Sequence, residues 1–116
     1  IQNGANALDE LLQASPRPTA VMCGNDVLAV GALRRAKELG IDVPTDLSIT
    51  GFDDIEIAQI VDPSLTTVHV PHREMGCKAA TKLVEMVERR SDGASIELDT
   101  FLQIRKSLVS PSFKGV

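Results

Sequence analysis

Residues Thr19–Asp54 read TAVMCGND, then VLAVGALRRAKELG, then IDVPTDLSITGFDD. The first apolar run, Thr19–Cys23, is short enough for a buried strand. Gly24 allows a tight turn at its end, and either Asn25 or Asp26 can cap the helix that follows by accepting from its free N–H groups. That helix extends to Leu39, with Lys37 near its carboxyl end and Gly40 in the position that terminates it. Ile41–Asp46 is a loop containing Pro44, and Leu47–Phe52 is a second short apolar run. Strand, helix, strand in this order is a βαβ unit, whose strands run parallel with the helix on one face. Both strands end in polar residues, Asn25 and Asp26 after the first and Asp53 and Asp54 after the second. Open parallel sheets bind ligands at the carboxyl ends of their strands, so Asn25 and Asp53 are the first candidates for ligand binding.

Upstream, Ala5, Leu8 and Leu12 repeat at helical spacing, and Ser15-Pro16-Arg17-Pro18 stops that helix. Downstream, the sequence predicts a short helix over Ile55–Ile60, capped by Asp53 or Asp54, and a β-branched strand over Leu65–Val70. Pro71 suits the first turn of a further helix, whose stripe of Met75, Ala79, Leu83 and Val87 runs to about Arg90. Ser91-Asp92-Gly93 reads as a turn. Ile96, Leu98, Thr100, Leu102 and Ile104 then alternate with polar residues, a one-sided strand pattern, and the tail from Ser110 reads as frayed. Together these elements give an α/β fold, a parallel Rossmann-like sheet with helices on both faces.

A chain of 116 residues supports one domain at most, and its first residue, Ile1, falls inside a pattern, so the sequence reads as a fragment. A formal charge of −4 argues against a phosphate-binding face in this stretch, and three Phe with no Trp or Tyr argue against a base-stacking platform. No apolar run approaches the ~18 residues of a membrane span. Cys23 and Cys77 lie far apart without Cys-x-x-Cys or Cys/His spacing, which suits reduced thiols.

Asp53-Asp54 admits three readings: a metal or catalytic pair, a helix cap, or a ligand-binding carboxylate. Neighbours on a strand point to opposite faces, so only one of the two can enter a cleft. No nucleophile, phosphate-binding Gly-Lys-Ser/Thr motif or third carboxylate accompanies them. His69, His72 and Glu74 have metal-like spacing but straddle a strand-to-helix junction with Pro71 between them. Gly31 inside a helix costs about 1 kcal/mol relative to Ala, so close packing is expected there, on the domain's own sheet or on another element that approaches it.

Four motifs also occur in one order: CGND at 23–26, AVGALRRAKELG at 29–40, VPTDLSITGFDD at 43–54 and LTTVHVP at 65–71. From about Ala5 to about Val109 the chain resembles the effector-binding domain of the lactose-repressor (LacI/GalR) family of bacterial transcription regulators. The resemblance implies a periplasmic-binding-protein-like fold, present in part: residues 1–70 from one lobe, 71–103 belonging to or crossing towards a second lobe, and 104–116 returning. It implies a repressor and not an enzyme, cytoplasmic, without metal or cofactor, that binds a sugar or nucleoside-like effector through Asn25 and Asp53. It places a dimer interface at Ala29, Leu33 and Ala36 with Ile57, Ile60 and Val61, and operator DNA on a headpiece outside this stretch. Many relatives carry Gln where this chain has Val70, which cannot bond a ligand. A periplasmic sugar-binding receptor of a transport system is the rival with the same fold; VPTDLSITGFDD and LTTV speak for the regulator.

Overall fold

The strand β1 (Ala20–Met22) pairs in parallel with β2 (Ser48–Asp53), and β2 pairs in parallel with β3 (Thr66–His69). The structure, a computed structural model, describes residues 1–90 and 92–111. A short β4 (Phe101–Gln103) completes the sheet in the order β1-β2-β3-β4. The helices are α1 (Gln2–Leu11), α2 (Asp26–Glu38), α3 (Ile57–Ile60) and α4 (His72–Val87). The chain forms two units, Ile1–His69 with the chain from Leu102 onward, and Val70–Phe101. The fold is mixed α/β with a mostly parallel sheet. The expected turn at Ser91 and the tail beyond Pro111 fall outside the described residues.

In the first unit, register pairs Val21 with Ile49 and Gly51 with Thr67, so these residues share one sheet face. All four are buried. Leu8 of α1, together with Ala29, Ala32, Leu33 and Ala36 of α2, belongs to the same apolar core. Burying a Leu or Ile side chain is worth roughly 1.5–3 kcal/mol, so this interior carries most of the unit's stability. The opposite face carries Ala20, Met22 and Phe52, all exposed.

Helix α2 meets α1 through glycine. A Cβ on Gly31 would overlap the Ile1 carbonyl, and one on Gly4 would overlap the Leu28 carbonyl. The packing reason expected for Gly31 is thus the close approach of a neighbouring helix. Ala29 and Ala36 are 0% exposed and Leu33 is 7% exposed within this chain alone. Within this chain the three side chains are already packed in the apolar core, so they leave little surface for a second copy. Of the remaining interface candidates, Ile60 is 71% exposed, while Ile57 and Val61 are half-buried.

The return segment is stitched under the sheet. The buried Ser107 hydroxyl donates to the Ile49 carbonyl at 2.6 Å and accepts from Thr66 N–H at 2.8 Å. Its own carbonyl accepts from Ile49 N–H at 2.9 Å. A buried hydroxyl is costly unless bonded, and here both its donor and acceptor functions are satisfied.

In the second unit α4 ends at Val87, just short of the expected Arg90, and none of its residues is buried. The strand expected over residues 96–104 is reduced to Phe101–Gln103. Residues 92–100 make no ladder; Ala94, Ile96 and Leu98 instead line an apolar groove with Met75, Ala79, Leu83 and Met86 of α4. Alternation shows that one side of a segment seeks apolar cover, but a helix supplies that cover as well as a sheet does.

Candidate ligand-binding site

Asn25 is the N-cap of α2: its backbone is extended and its Oδ1 accepts from Leu28 N–H at 2.8 Å. Capping leaves the two N–H donors of the carboxamide, so the half-buried Asn25 can still bond another molecule. Asp53 is the last residue of β2 and pairs in register with His69, the last residue of β3. Met22, the last residue of β1, is level with Thr50; Asn25 follows in the turn that opens α2, and Asp53 ends β2. The two expected ligand residues therefore stand at the same ends of neighbouring parallel strands. Asp53 is half-buried.

The vicinal aspartates part company. Asp53 has φ of 110° and Asp54 φ of 56°, both positive. Such backbone costs about 1–3 kcal/mol per residue and persists only where surroundings impose it. The Asp54 side chain is 8% exposed, with Oδ1 2.6 Å from Arg105 Nη2 and Oδ2 2.8 Å from His69 Nδ1. Arg105 Nη1 also donates to the Leu65 carbonyl at 2.9 Å. Burial pushes the Asp54 carboxyl up, but the hydrogen bonds and charges of His69 and Arg105 outweigh it and hold the group below the usual range. With a guanidinium already on it, Asp54 is an internal counter-ion; it is not the second half of a metal pair.

Asp26 is buried in a different way. Its Oδ1 accepts from Thr67 Oγ1 at 2.6 Å and its Oδ2 from Ile55 N–H at 2.9 Å. It thereby ties the start of α2 to β3 and to the turn after β2. Gly51 makes room for this, since a Cβ there would overlap the Asp26 carboxylate. Neither expected cap for the short α3 is used: its N-cap is Glu56, without a side-chain hydrogen bond. His69 is committed to Asp54 at 2.8 Å in the first unit, and Glu74 in the second is paired with Lys78 at 2.7 Å.

Sequence reasoning missed Arg105, which reaches Asp54 across 51 residues, and the bridging role of Asp26. No local pattern marks either. The only available signal was that a second, inward carboxylate needs a cation. The strand ends thus carry an acceptor carboxylate and a carboxamide whose N–H groups donate, a set suited to ligands bearing hydroxyl groups.

Comparison with known proteins agrees with this geometry. Residues 1–108 match the periplasmic binding protein-like domain. The HTH-type transcriptional repressor PurR of Proteus mirabilis is 42% identical over 113 residues, which are 97% of this chain and 33% of that protein. Among solved structures, transcription regulator GntR from Chromobacterium violaceum is 42% identical with a TM-score of 0.81, over 91% of this chain and 40% of that one. Transcriptional regulator CelR in complex with cellobiose is 32% identical with a TM-score of 0.84, over 90% of this chain and 32% of that one. The chain thus spans about a third of the length of the curated relatives it matches.

Proposed function

Because this chain belongs to the periplasmic-binding-protein-like domain family, in the LacI/GalR group of regulators, we propose that it is the effector-binding part of a DNA-binding transcriptional repressor. The observation that carries this reading is the placing of Asn25 and Asp53 at the same ends of β1 and β2. Asp53 accepts hydroxyl or N–H hydrogens of the effector, and Asn25, its Oδ1 engaged as the helix cap, donates through its carboxamide N–H groups. The effector is a sugar or nucleoside-like molecule. Val70 supplies no hydrogen bond, which favours a ligand with an apolar edge.

In this reading residues 1–70 form one lobe of the effector-binding domain, 71–103 belong to or cross towards the other, and the chain returns from 104. Effector binding biases a two-state hinge by its differential affinity for the two states. A homodimer, joined in part through Ile57, Ile60 and Val61, transmits that bias to operator-binding headpieces elsewhere in the regulator, in the cytoplasm. The activity is binding, with no reaction catalysed. The fold alone also suits a periplasmic transport receptor, but the relatives named above are regulators.

A thermal-shift screen of the full-length regulator against cellobiose, ribose, adenosine and guanosine tests the proposal. A ligand at 100 times its Kd adds about 2.7 kcal/mol of stability, a readable shift. Asp53→Ala should remove that shift and the effector response while operator binding persists. A normal response in Asp53→Ala would refute the assignment.

A further inference from the structure

Three separate pieces of chain converge on the turn that carries Asp53. Asp26, fully buried at the start of α2, accepts the Ile55 N–H at 2.9 Å. Arg105, on the return segment, spans two acceptors, Asp54 Oδ1 at 2.6 Å and the Leu65 carbonyl at 2.9 Å. His69, at the end of β3, sets Nδ1 2.8 Å from the other Asp54 oxygen. Between these contacts the backbone passes through φ of 110° at Asp53 and 56° at Asp54, a conformation that non-glycine residues keep only under external hold.

We propose that this clamp of Asp26, Asp54, Arg105 and His69 aims the Asp53 carboxylate at the effector, with Arg105 as a positioning residue for ligand binding. The proposal rests on the reading of Asp53 as a ligand acceptor and adds how that acceptor is held. The planar guanidinium fixes two acceptors in one geometry, which an ammonium on a flexible stem does not. His69 is the last residue before the chain leaves the first unit, and Arg105 follows closely on its return at Leu102. Both connections therefore bear on the one carboxylate adjacent to Asp53, and a change in either is passed to the ligand-binding residue.

The test uses the full-length regulator as wild type, Arg105→Met, Arg105→Lys, Asp53→Ala and Leu8→Ala, the last a core variant on α1 outside the four clamp residues. Two quantities are measured: amide hydrogen exchange by mass spectrometry over residues 50–58 without ligand, and Kd for cellobiose or adenosine, whichever stabilises the wild type. Arg105→Met should speed exchange at Ile55 and weaken the probe by about tenfold, the worth of one charge-assisted hydrogen bond. Arg105→Lys should fall between, and Leu8→Ala should change neither quantity. Unchanged Ile55 exchange in Arg105→Met overturns the clamp, and so does an equal effect from Leu8→Ala. If exchange rises while affinity holds, the positioning role is overturned. Asp53→Ala then locates the fault: retained affinity in that variant places it in the ligand reading, and lost affinity places it in the clamp.

Discussion

At Asp54 a buried carboxylate, a guanidinium and an imidazole meet, and the consequence for stability has a definite sign. The folded-state carboxyl is held below its ordinary range, whereas in the unfolded chain it titrates near its reference value of about 3.9. In acid the unfolded chain therefore binds the extra proton, so stability rises with pH through that region. The contribution is fully present above the unfolded value and is lost as pH falls through the folded one. Asp54→Asn should cost on the order of 1–3 kcal/mol at neutral pH, from weakened bonds to Arg105 and His69. It should also flatten the acid limb of a denaturant-melt series run from pH 6 to pH 2. An acid limb as steep as wild type would show that other carboxylates set it. The sequence showed that only one of Asp53 and Asp54 could face a cleft, because strand neighbours diverge. It could not show that the second was answered by Arg105, since ion pairs across 51 residues follow from topology and leave no local pattern.

The βαβ unit was readable because its evidence is local. Apolar runs of strand length, a helical period and residues such as Asn25 and Gly40 all concern near neighbours, and tertiary structure had nothing to override. Elements misread were those whose cover lies elsewhere. Residues 96–100 alternate like a strand, yet Ile96 and Leu98 line a groove with α4; Ala29, Leu33 and Ala36 belong to the first unit's own apolar core. Gly31 separates intrinsic propensity from packing. In an open helix Gly31→Ala would gain about 1 kcal/mol. Here the added methyl meets the Ile1 carbonyl, and overpacking of this kind costs typically 1–3 kcal/mol. Gly31→Ala should therefore lower the urea midpoint without changing the slope. A raised midpoint would mean that α1 shifts freely and that α2 propensity dominates.

Each of the two units exposes large apolar side chains among the described residues. In the first unit Met22 is 88% exposed and Ile60 71%; in the second, Leu83 is 61% exposed, Val84 55% and Val87 74%. Single exposed apolar residues are ordinary, but contiguous patches mark surfaces built to be covered. The α3 patch has a specific expectation. If Ile60 joins two copies of the regulator, Ile60→Asp should shift the full-length protein towards monomer in sedimentation at micromolar concentration, and an unchanged dimer would place the interface elsewhere. The α4 stripe and the β1 edge concern the 116-residue chain by itself. Each large apolar side chain left in water forgoes roughly 1.5–3 kcal/mol relative to burial, and a small domain has only about 5–15 kcal/mol of stability in total. An unpaired strand edge adds a template for another chain. The isolated chain should therefore self-associate, by exchange of elements or by mutual burial of the α4 stripes. Leu83→Lys with Val87→Lys should reduce the mass seen by light scattering if the stripes are the contact. A monodisperse monomer that binds an apolar-surface dye through a still-folded α4 would sink this expectation, because the helix would then stand in solvent at no measurable cost.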